Sequence, residues 1–378
     1  MLVPTGPVMG SSRTAVWDDG NSIKVLDTTE TAMLTQATAT GKKADSDIKA
    51  PHPFVSVVIP VRNERTHIGE CLDALLEQDY PARCTEIVII DGMSDDGTRD
   101  ILDEYARRHS NLRVLDNPAG LTPVAMNLGI TNSRGEIIVR IDARCICDED
   151  YVGQCVKYLE STGAQNVGGM QKAIGDDYWT RVFSLATTSP FGIGNSKFHY
   201  SNKEQFVDTV YLGAFRRKVF DEIGLYDESL IRNQDYELNH RIRKAGGKIF
   251  FTPNIRCVYY GRNSIAKLFK QYFQFGFWKV RVLKKHPASL KARHLAAPAL
   301  ILFLVVGALL SVHETGRLFL LGLLGMYGSA SLIASAWALK KSDLKHAVPL
   351  PLVFAIIHLS WGSGFWLSLF KSFRRATS

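Results

Sequence analysis

A chain of 378 residues has room for one large domain or two small ones. Its 45 Lys and Arg outnumber its 37 Asp and Glu, a formal net charge of +8 that suits nucleic acid, anionic lipid or a phosphorylated substrate. The positive charges cluster beside apolar stretches, which argues against nucleic acid and for anionic lipid. The six cysteines form no CxxC pair and no His/Cys metal spacing, and Cys145 and Cys147 lie too close for an easy bridge; all six read as reduced thiols in a cytosolic compartment.

Residues 1–50 are rich in Thr, Ser, Gly and Ala, carry no secretory signal and read as a mostly disordered leader. From residue 54 the pattern becomes regular. Val55–Pro60 reads as a buried strand that stops abruptly in Pro60, Arg62, Asn63 and Glu64. His67–Gln78 reads as a helix with Ile68, Leu72, Leu75 and Leu76 on one face. A strand at Glu86–Asp91, a helix at Thr98–His109, a strand at Leu112–Asn117, a helix at Leu121–Asn132 and a strand at Glu136–Asp142 follow. Short strands alternating with helices predict βαβ units, hence an α/β fold with a mainly parallel central sheet. Such sheets take ligands at the C-terminal ends of their strands. Three of those ends carry polar loops: Pro60–Glu64, "DGMSDDGT" with Asp91 and Asp96, and "IDARC" at Asp142. The first loop lacks GxGxxG and the chain has no GxxxxGK[ST], so neither a dinucleotide fingerprint nor a P-loop is present.

The second half is less regular. Gln165–Ile174 and Phe206–Phe215 read as strands, with the long polar loop "SPFGIGNSKFHYSNKEQ" between them. "NQDYELNHRIRKAGG" reads as a helix with Asp235 and Glu237 in its first turn and Gly246 just past its end. "KIFFTP" and "IRCVYY" read as two short strands. In residues 264–285, aromatics alternate with Lys and Arg, which predicts a helix lying in the bilayer interface, either as a simple anchor or as the wall of a path for a lipid-linked substrate.

Three apolar stretches follow, Leu295–Val312, Leu318–Leu339 and Val348–Phe370, each of a length that crosses a bilayer. The basic segments "KVRVLKKHPASLKAR" and "KKSDLKH" place the flanks of the first and third on the cytosolic side. Three full spans would then put the basic end "KSFRRATS" outside, against the same rule. Pro349, Pro351, Gly362 and Gly364 leave the last stretch open between a full span and a broken, re-entrant one. The expected organisation is a leader (1–50), an α/β domain (51–262), an interfacial segment (263–292) and a transmembrane helical region (293–378).

Four segments resemble, in order, the family-2 glycosyltransferases of GT-A fold. "VSVVIPVRNE" is similar to the family's first strand and loop, "DGMSDDGT" to its D-x-x-S-x-D-G-T loop, and "IDARC" stands where the family has a metal-binding D-x-D. "NQDYELNHRIRKAG" stands where it has E-D-x-E/D-L-x-x-R-x-x-x-G. The resemblance runs from about Phe54 to Pro287. "VDTVYLGAFRRKVFDEIGLYDE" and "QYFQFGFWKVRVLKKHP" look most like membrane-bound bacterial exopolysaccharide transferases of the succinoglycan glucosyltransferase type.

The resemblance implies a nucleotide-sugar donor, usually a UDP-sugar. Its base and ribose would lie on Pro60, Val61 and Asn63 with Glu64 beside them, Asp91 would accept from the base, and Asp96 would shape the loop. It implies a divalent metal, Mg²⁺ or Mn²⁺, held by Asp142 and neutralising the departing diphosphate. Arg144 replaces the second aspartate of D-x-D; it cannot bind metal, and either pairs with the diphosphate or turns away. The catalytic base would be Asp235, with Gln234 where a glutamate is more usual; Asp208 and Gln234 are candidates for the acceptor pocket.

The first reading is thus an inverting transferase at the bacterial cytoplasmic membrane, its catalytic domain cytosolic. It would move one sugar, glucose from UDP-glucose, to a polyprenyl-diphosphate-linked saccharide in exopolysaccharide synthesis. The second is a polyprenyl-phosphate sugar synthase, in which the lipid phosphate is the acceptor and Asp235 matters less. A processive synthase is disfavoured by the few spans and the missing Q-x-x-R-W motif. A reading from another class, a non-catalytic nucleotide-binding membrane scaffold, has Arg144 as its support.

Overall fold

The computed structural model describes residues 13–17, 23–27, 52–175, 177–194, 196–338 and 343–374. Within the stretch expected to be a disordered leader, β1 (Arg13–Trp17) and β2 (Ile23–Asp27) pair as an antiparallel hairpin. Their β-branched and aromatic residues, such as Val16, Trp17, Ile23 and Val25, suit a strand. The rest of that leader lies outside the described residues.

The α/β domain is built on β3 (Val55–Val61), β4 (Thr85–Asp91), β5 (Leu112–Asp116), β6 (Ile137–Arg140), β7 (Cys145–Cys147), β8 (Asn166–Ile174), β9 (Gln205–Phe206), β10 (Ala214–Arg216) and β11 (Ile249–Tyr260). They form one mixed sheet in the order β5-β4-β3-β6-β10-β8-β11-β7, with β9 on β11. The first four strands are mutually parallel, as is the β8–β11 pair; β10, β7 and β9 run antiparallel to their neighbours. The helices of this domain are α1 (Ile68–Leu76), α2 (Thr98–Arg108), α3 (Thr122–Thr131), α4 (Tyr151–Thr162), α5 (Tyr178–Thr187), α6 (Pro190–Ile193), α7 (Lys218–Ile223) and α8 (Gln234–Lys244).

A parallel sheet covered on both faces needs strands that are apolar on both sides, which is why β3 and β4 read as unbroken hydrophobic runs. Successive side chains point to opposite faces. Val57 and Ile59 pack with Ile68 and Leu72 of α1 and Val152 of α4, whereas Val58 packs with Met126 and Ile130 of α3 and Leu238 of α8. All six cysteines are free.

Two expected strands differ. Phe206–Phe215 pairs only at its ends, as β9 and β10. Between them Leu212 takes φ +48°, and Val210 and Tyr211 face a cavity instead of a neighbouring strand. "KIFFTP" and "IRCVYY" form the single strand β11, whose register against β8 shifts between Thr252 and Arg256. Pro253 lacks the N–H that a regular ladder would use there.

Beyond the sheet come α9 (Ile265–Lys285), α10 (Ala296–Leu310), α11 (Glu314–Ala338), α12 (Leu344–Ala347) and α13 (Leu350–Arg374). The first apolar stretch, expected to span, is only the 15-residue α10, about 22 Å long at 1.5 Å per residue. Among the described residues, two helical segments are long and apolar enough to cross a membrane, Glu314–Ala338 and Leu344–Phe373. α13 is not broken. Pro351 sits in its first turn, where the missing N–H has no helical partner to lose. Gly362 and Gly364 allow close approach, by the backbone of Ala297 and of Phe273 respectively. α13 also packs on α5, α6, α9 and α10, so it belongs to the core as well as to the apolar tail. α11 is mostly exposed, with Leu318, Leu321, Met326, Leu332 and Trp337 facing outward.

Gly276 of α9 meets α13 most closely: a Cβ there would lie 1.9 Å from the carbonyl oxygen of Trp361. Backbone cannot step aside as a side chain can. Gly276→Leu is expected to destabilise the protein by about 3 kcal/mol or more, the upper end of ordinary overpacking. A lowered unfolding temperature in detergent checks this, with Gly325→Ala as the unaffected control, because nothing lies within 4 Å of the added Cβ there.

Candidate active site

β3 pairs with β6 only over Val55–Val58, whereas it pairs with β4 as far as Val61. Past Val58 the strands part, and a crevice opens at the point where the strand order reverses. That is where open α/β sheets take ligands. Pro60 lies on the strand beyond the β6 pairing, so its missing N–H costs little there.

The first two loops are locked to each other. Asn63 adopts a left-handed backbone conformation (φ +55°), which asparagine tolerates better than most residues. Its side chain donates to Asp95 Oδ1 (2.8 Å) and accepts from the Asp95 amide (3.0 Å), and its own amide donates to Ser94 Oγ (2.9 Å). Asp91, buried at the end of β4, accepts from Ser94 Oγ (2.6 Å) and lies 3.6 Å from Arg99. Asp96 accepts from the Thr98 amide (3.0 Å) and the Arg65 amide (3.3 Å), so its carboxylate is used within the loop.

The third strand end supplies a residue that sequence reasoning passed over. Arg140, on β6, is almost fully buried. Its guanidinium donates to Asp142 Oδ1 through Nε (3.1 Å) and Nη2 (3.0 Å) and, through Nη1, to Asp235 at the start of α8. Asp142 also accepts from the Tyr211 hydroxyl. The two carboxylates, 93 positions apart, therefore share one cation. Burial raises the Asp235 carboxyl above the usual aspartate range, against the pull of Arg140 and with repulsion from Asp142 added. A signal was available: an arginine inside the apolar run "IIVRI" requires a carboxylate partner if it is buried.

Arg144 turns to Glu64, donating from Nε to both carboxylate oxygens at 2.7 Å. Burial still raises the Glu64 carboxyl above its ordinary value. α8 is fixed at its start by Asn233 (φ +63°), whose side chain donates to the Phe275 carbonyl of α9 (2.9 Å). A helix outside the sheet thus positions the turn that carries Asp235.

A cavity of about 1340 Å³ joins these groups. Pro60, Val61, Glu64, Asp142, Arg144, Gln234 and Asp235 line it; Asn63, Asp91, Asp96 and Asp208 do not. Asp208, considered for the acceptor pocket, pairs with Lys291 (2.8 Å) and with Arg293, which does line the cavity, tying the domain to the segment before α10. The cavity continues past the sheet to α9, α10 and α13, where Gln274, Lys279, Arg293, Leu300 and Trp361 line it.

No cluster of three or more His, Cys, Asp or Glu side chains suited to a metal ion occurs among the described residues. The donor set fits a metal only if one carboxylate, Asp142, is completed by substrate oxygens and water, an arrangement Mg²⁺ commonly accepts.

The Glycosyl transferase family 2 model matches residues 56–224. The chain is 30% identical over 322 residues to the Succinoglycan biosynthesis protein ExoA of Rhizobium meliloti (strain 1021), covering 84% of this chain and 96% of that one. It is 29% identical over 326 residues to a dolichyl N-acetyl-alpha-D-glucosaminyl phosphate 3-beta-D-2,3-diacetamido-2,3-dideoxy-beta-D-glucuronosyltransferase of Methanococcus voltae, covering 84% and 98%. In fold it is similar to the mannosyltransferase PcManGT from Pyrobaculum calidifontis, solved in complex with GDP-Man and Mn²⁺, at a TM-score of 0.55 and 18% identity over 91% of this chain and 94% of that one. The parallel half-sheet, the polar strand ends and these likenesses agree: the chain belongs to glycosyl transferase family 2, with a GT-A fold.

Proposed function

We propose that this glycosyltransferase moves a single sugar, glucose from UDP-glucose, with inversion onto a polyprenyl-diphosphate-linked saccharide at the cytosolic face of a bacterial membrane. The observation that carries this reading is the continuity of the cavity, which runs from Asp142 and Asp235 at the strand ends to Leu300 and Trp361 on the apolar helices. A soluble acceptor would need no such apolar extension. The names of two relatives support it: one takes part in succinoglycan biosynthesis and the other acts on a dolichyl-linked sugar phosphate.

In this reading Pro60, Val61 and Glu64 face the donor nucleoside, while Asn63, Asp91 and Asp96 act one step back by holding the two loops together. Asp142 would hold a divalent metal, which supplies charge neutralisation at the diphosphate. Asp235 takes the proton from the acceptor hydroxyl, and Gln234 and Tyr211 line the space beside it. Arg144 holds the Glu64 carboxylate in place on the donor side. α11 lies in the bilayer with its exposed apolar face, and the basic, aromatic α9 lies at the interface.

The test is sugar transfer by the detergent-purified protein. UDP-glucose and other nucleotide sugars are offered with Mg²⁺ or Mn²⁺, against a polyprenyl phosphate and a polyprenyl-diphosphate sugar. Product on the lipid-linked sugar, abolished by a chelator, is expected. Product on the bare lipid phosphate alone would replace this reading with that of a lipid-phosphate sugar synthase.

A further inference from the structure

One cation in the cavity wall has no use in the chemistry above. Lys279, on α9, is 5% exposed. Among the described residues its ammonium has neither a carboxylate within ion-pair distance nor a hydrogen-bond acceptor; it sits 3.2 Å from the centre of the Tyr236 ring. Three arginines that line the cavity are held by side chains: Arg144 by Glu64, Arg232 by Gln274 (3.2 Å) and Arg262 by Gln271 (3.0 Å). Burial lowers the Lys279 pKa to about 7, with the neighbouring Arg293 adding to the effect. An ammonium held this way is short of an anion.

Its surroundings are built for one. Arg293 lines the same part of the cavity, anchored through Asp208. Tyr236 is fixed by its hydroxyl, which donates to the Ser289 carbonyl (2.7 Å). His294 packs edge-on against that ring, and its Nδ1 accepts from the Lys291 amide (3.2 Å). Burial holds its pKa down at about 3, so the ring is neutral and Nε2 carries a hydrogen that can be donated. Beyond the cations the lining turns apolar, with Ala297, Leu300, Ile357 and Trp361. Leu302, Phe303, Val306 and Leu309 continue α10 as exposed hydrophobic surface. A site with cations at one end and an apolar trough at the other is complementary to an anionic head on a hydrocarbon chain. Lys279 and the proposed base, Asp235, line the same cavity.

We infer that Lys279 and Arg293 bind the phosphate or diphosphate that joins the acceptor saccharide to its polyprenyl chain, with the chain lying along Leu300, Ile357 and Trp361. This rests on the lipid-linked acceptor proposed above and adds the groups that recognise it. The same chemistry is offered by an anionic bilayer headgroup, so the test separates the two.

The full-length protein in dodecyl maltoside is titrated with farnesyl diphosphate, farnesol, inorganic pyrophosphate and phosphatidylglycerol mixed micelles, with tryptophan fluorescence and thermal shift as readouts. UDP binding serves as the fold control. Farnesyl diphosphate is expected to bind at least tenfold more tightly than farnesol or pyrophosphate and to resist displacement by phosphatidylglycerol. Lys279→Met should weaken it at least tenfold and leave UDP affinity within twofold. Unchanged farnesyl diphosphate affinity in Lys279→Met would overturn the inference while the lipid-linked acceptor stands. Absence of farnesyl diphosphate binding by the wild type would remove the lipid-linked acceptor itself. Equal competition by phosphatidylglycerol would reassign the pair to the bilayer surface. Should Lys279→Met lose UDP binding, Arg293→Gln is judged by the same criteria.

Discussion

Asp235→Asn is expected to lower the transfer rate by about 10²–10⁴-fold, the range of a general base, while donor binding changes by no more than a few-fold. Asparagine keeps the size of the side chain and can remain beside Arg140, so the loss reports the missing proton acceptor. The wild type should also show an acid limb with a definite sign. The base works only when deprotonated, and burial raises its carboxyl above the ordinary aspartate range. Protonation therefore sets in at a higher pH than for an exposed aspartate, and activity falls earlier as the pH is lowered. A pH profile of single-turnover transfer measures this, and the residual rate of the Asn variant should lack that limb. A variant retaining more than a tenth of the wild-type rate would assign the base elsewhere.

Arg140→Met is expected to be among the most destabilising single changes at the site. It leaves Asp142 and Asp235 without their shared partner, each still largely enclosed. Removing one member of a buried ionic group commonly costs 3–5 kcal/mol; about 3 is expected here, since both carboxylates keep some contact with cavity water. Transfer should fall with it, because Arg140 orients both groups. The guanidinium lowers the Asp235 pKa, so its loss should move any remaining acid limb to still higher pH. Arg140→Lys should be intermediate: it keeps the charge but cannot span two carboxylates with one planar fork. Chemical or thermal unfolding in detergent, alongside the pH profile, distinguishes these outcomes. Wild-type stability in Arg140→Met would mean that the ionic bridge contributes nothing.

Much of the architecture is legible in short stretches. A strand buried on both faces must be apolar throughout, so "VSVVIP" and "EIVIID" declare themselves, and the polar residues that stop them mark the crevice. The turn of α8 is equally local, with Asp235 and Glu237 at its start and Gly246 past its end. Where local pattern misled, backbone chemistry or helix packing was responsible. Pro253 interrupts a ladder without ending its strand, so two expected strands are one. The prolines and glycines of the last apolar stretch suggested a break, but they serve a first turn and two close helix contacts.

By itself, then, the sequence determined the α/β class, the order of strands and helices from Val55 to Arg140, and the loops that bound the crevice. Each depends on periodicity and chain-breaking residues within a few positions of one another. The tertiary structure alone decided who pairs with whom. Arg140 meets Asp235 across 95 positions, Arg144 turns back 80 positions to Glu64, Asp208 is drawn to Lys291 and Arg293, and Lys279 is left against a ring. A charged side chain in a sequence records its charge and reach. Whether it becomes buried, and which opposite charge lies within about 4 Å when it does, depends on how distant elements dock, because the energy of an ion pair depends on separation and on the water excluded around it.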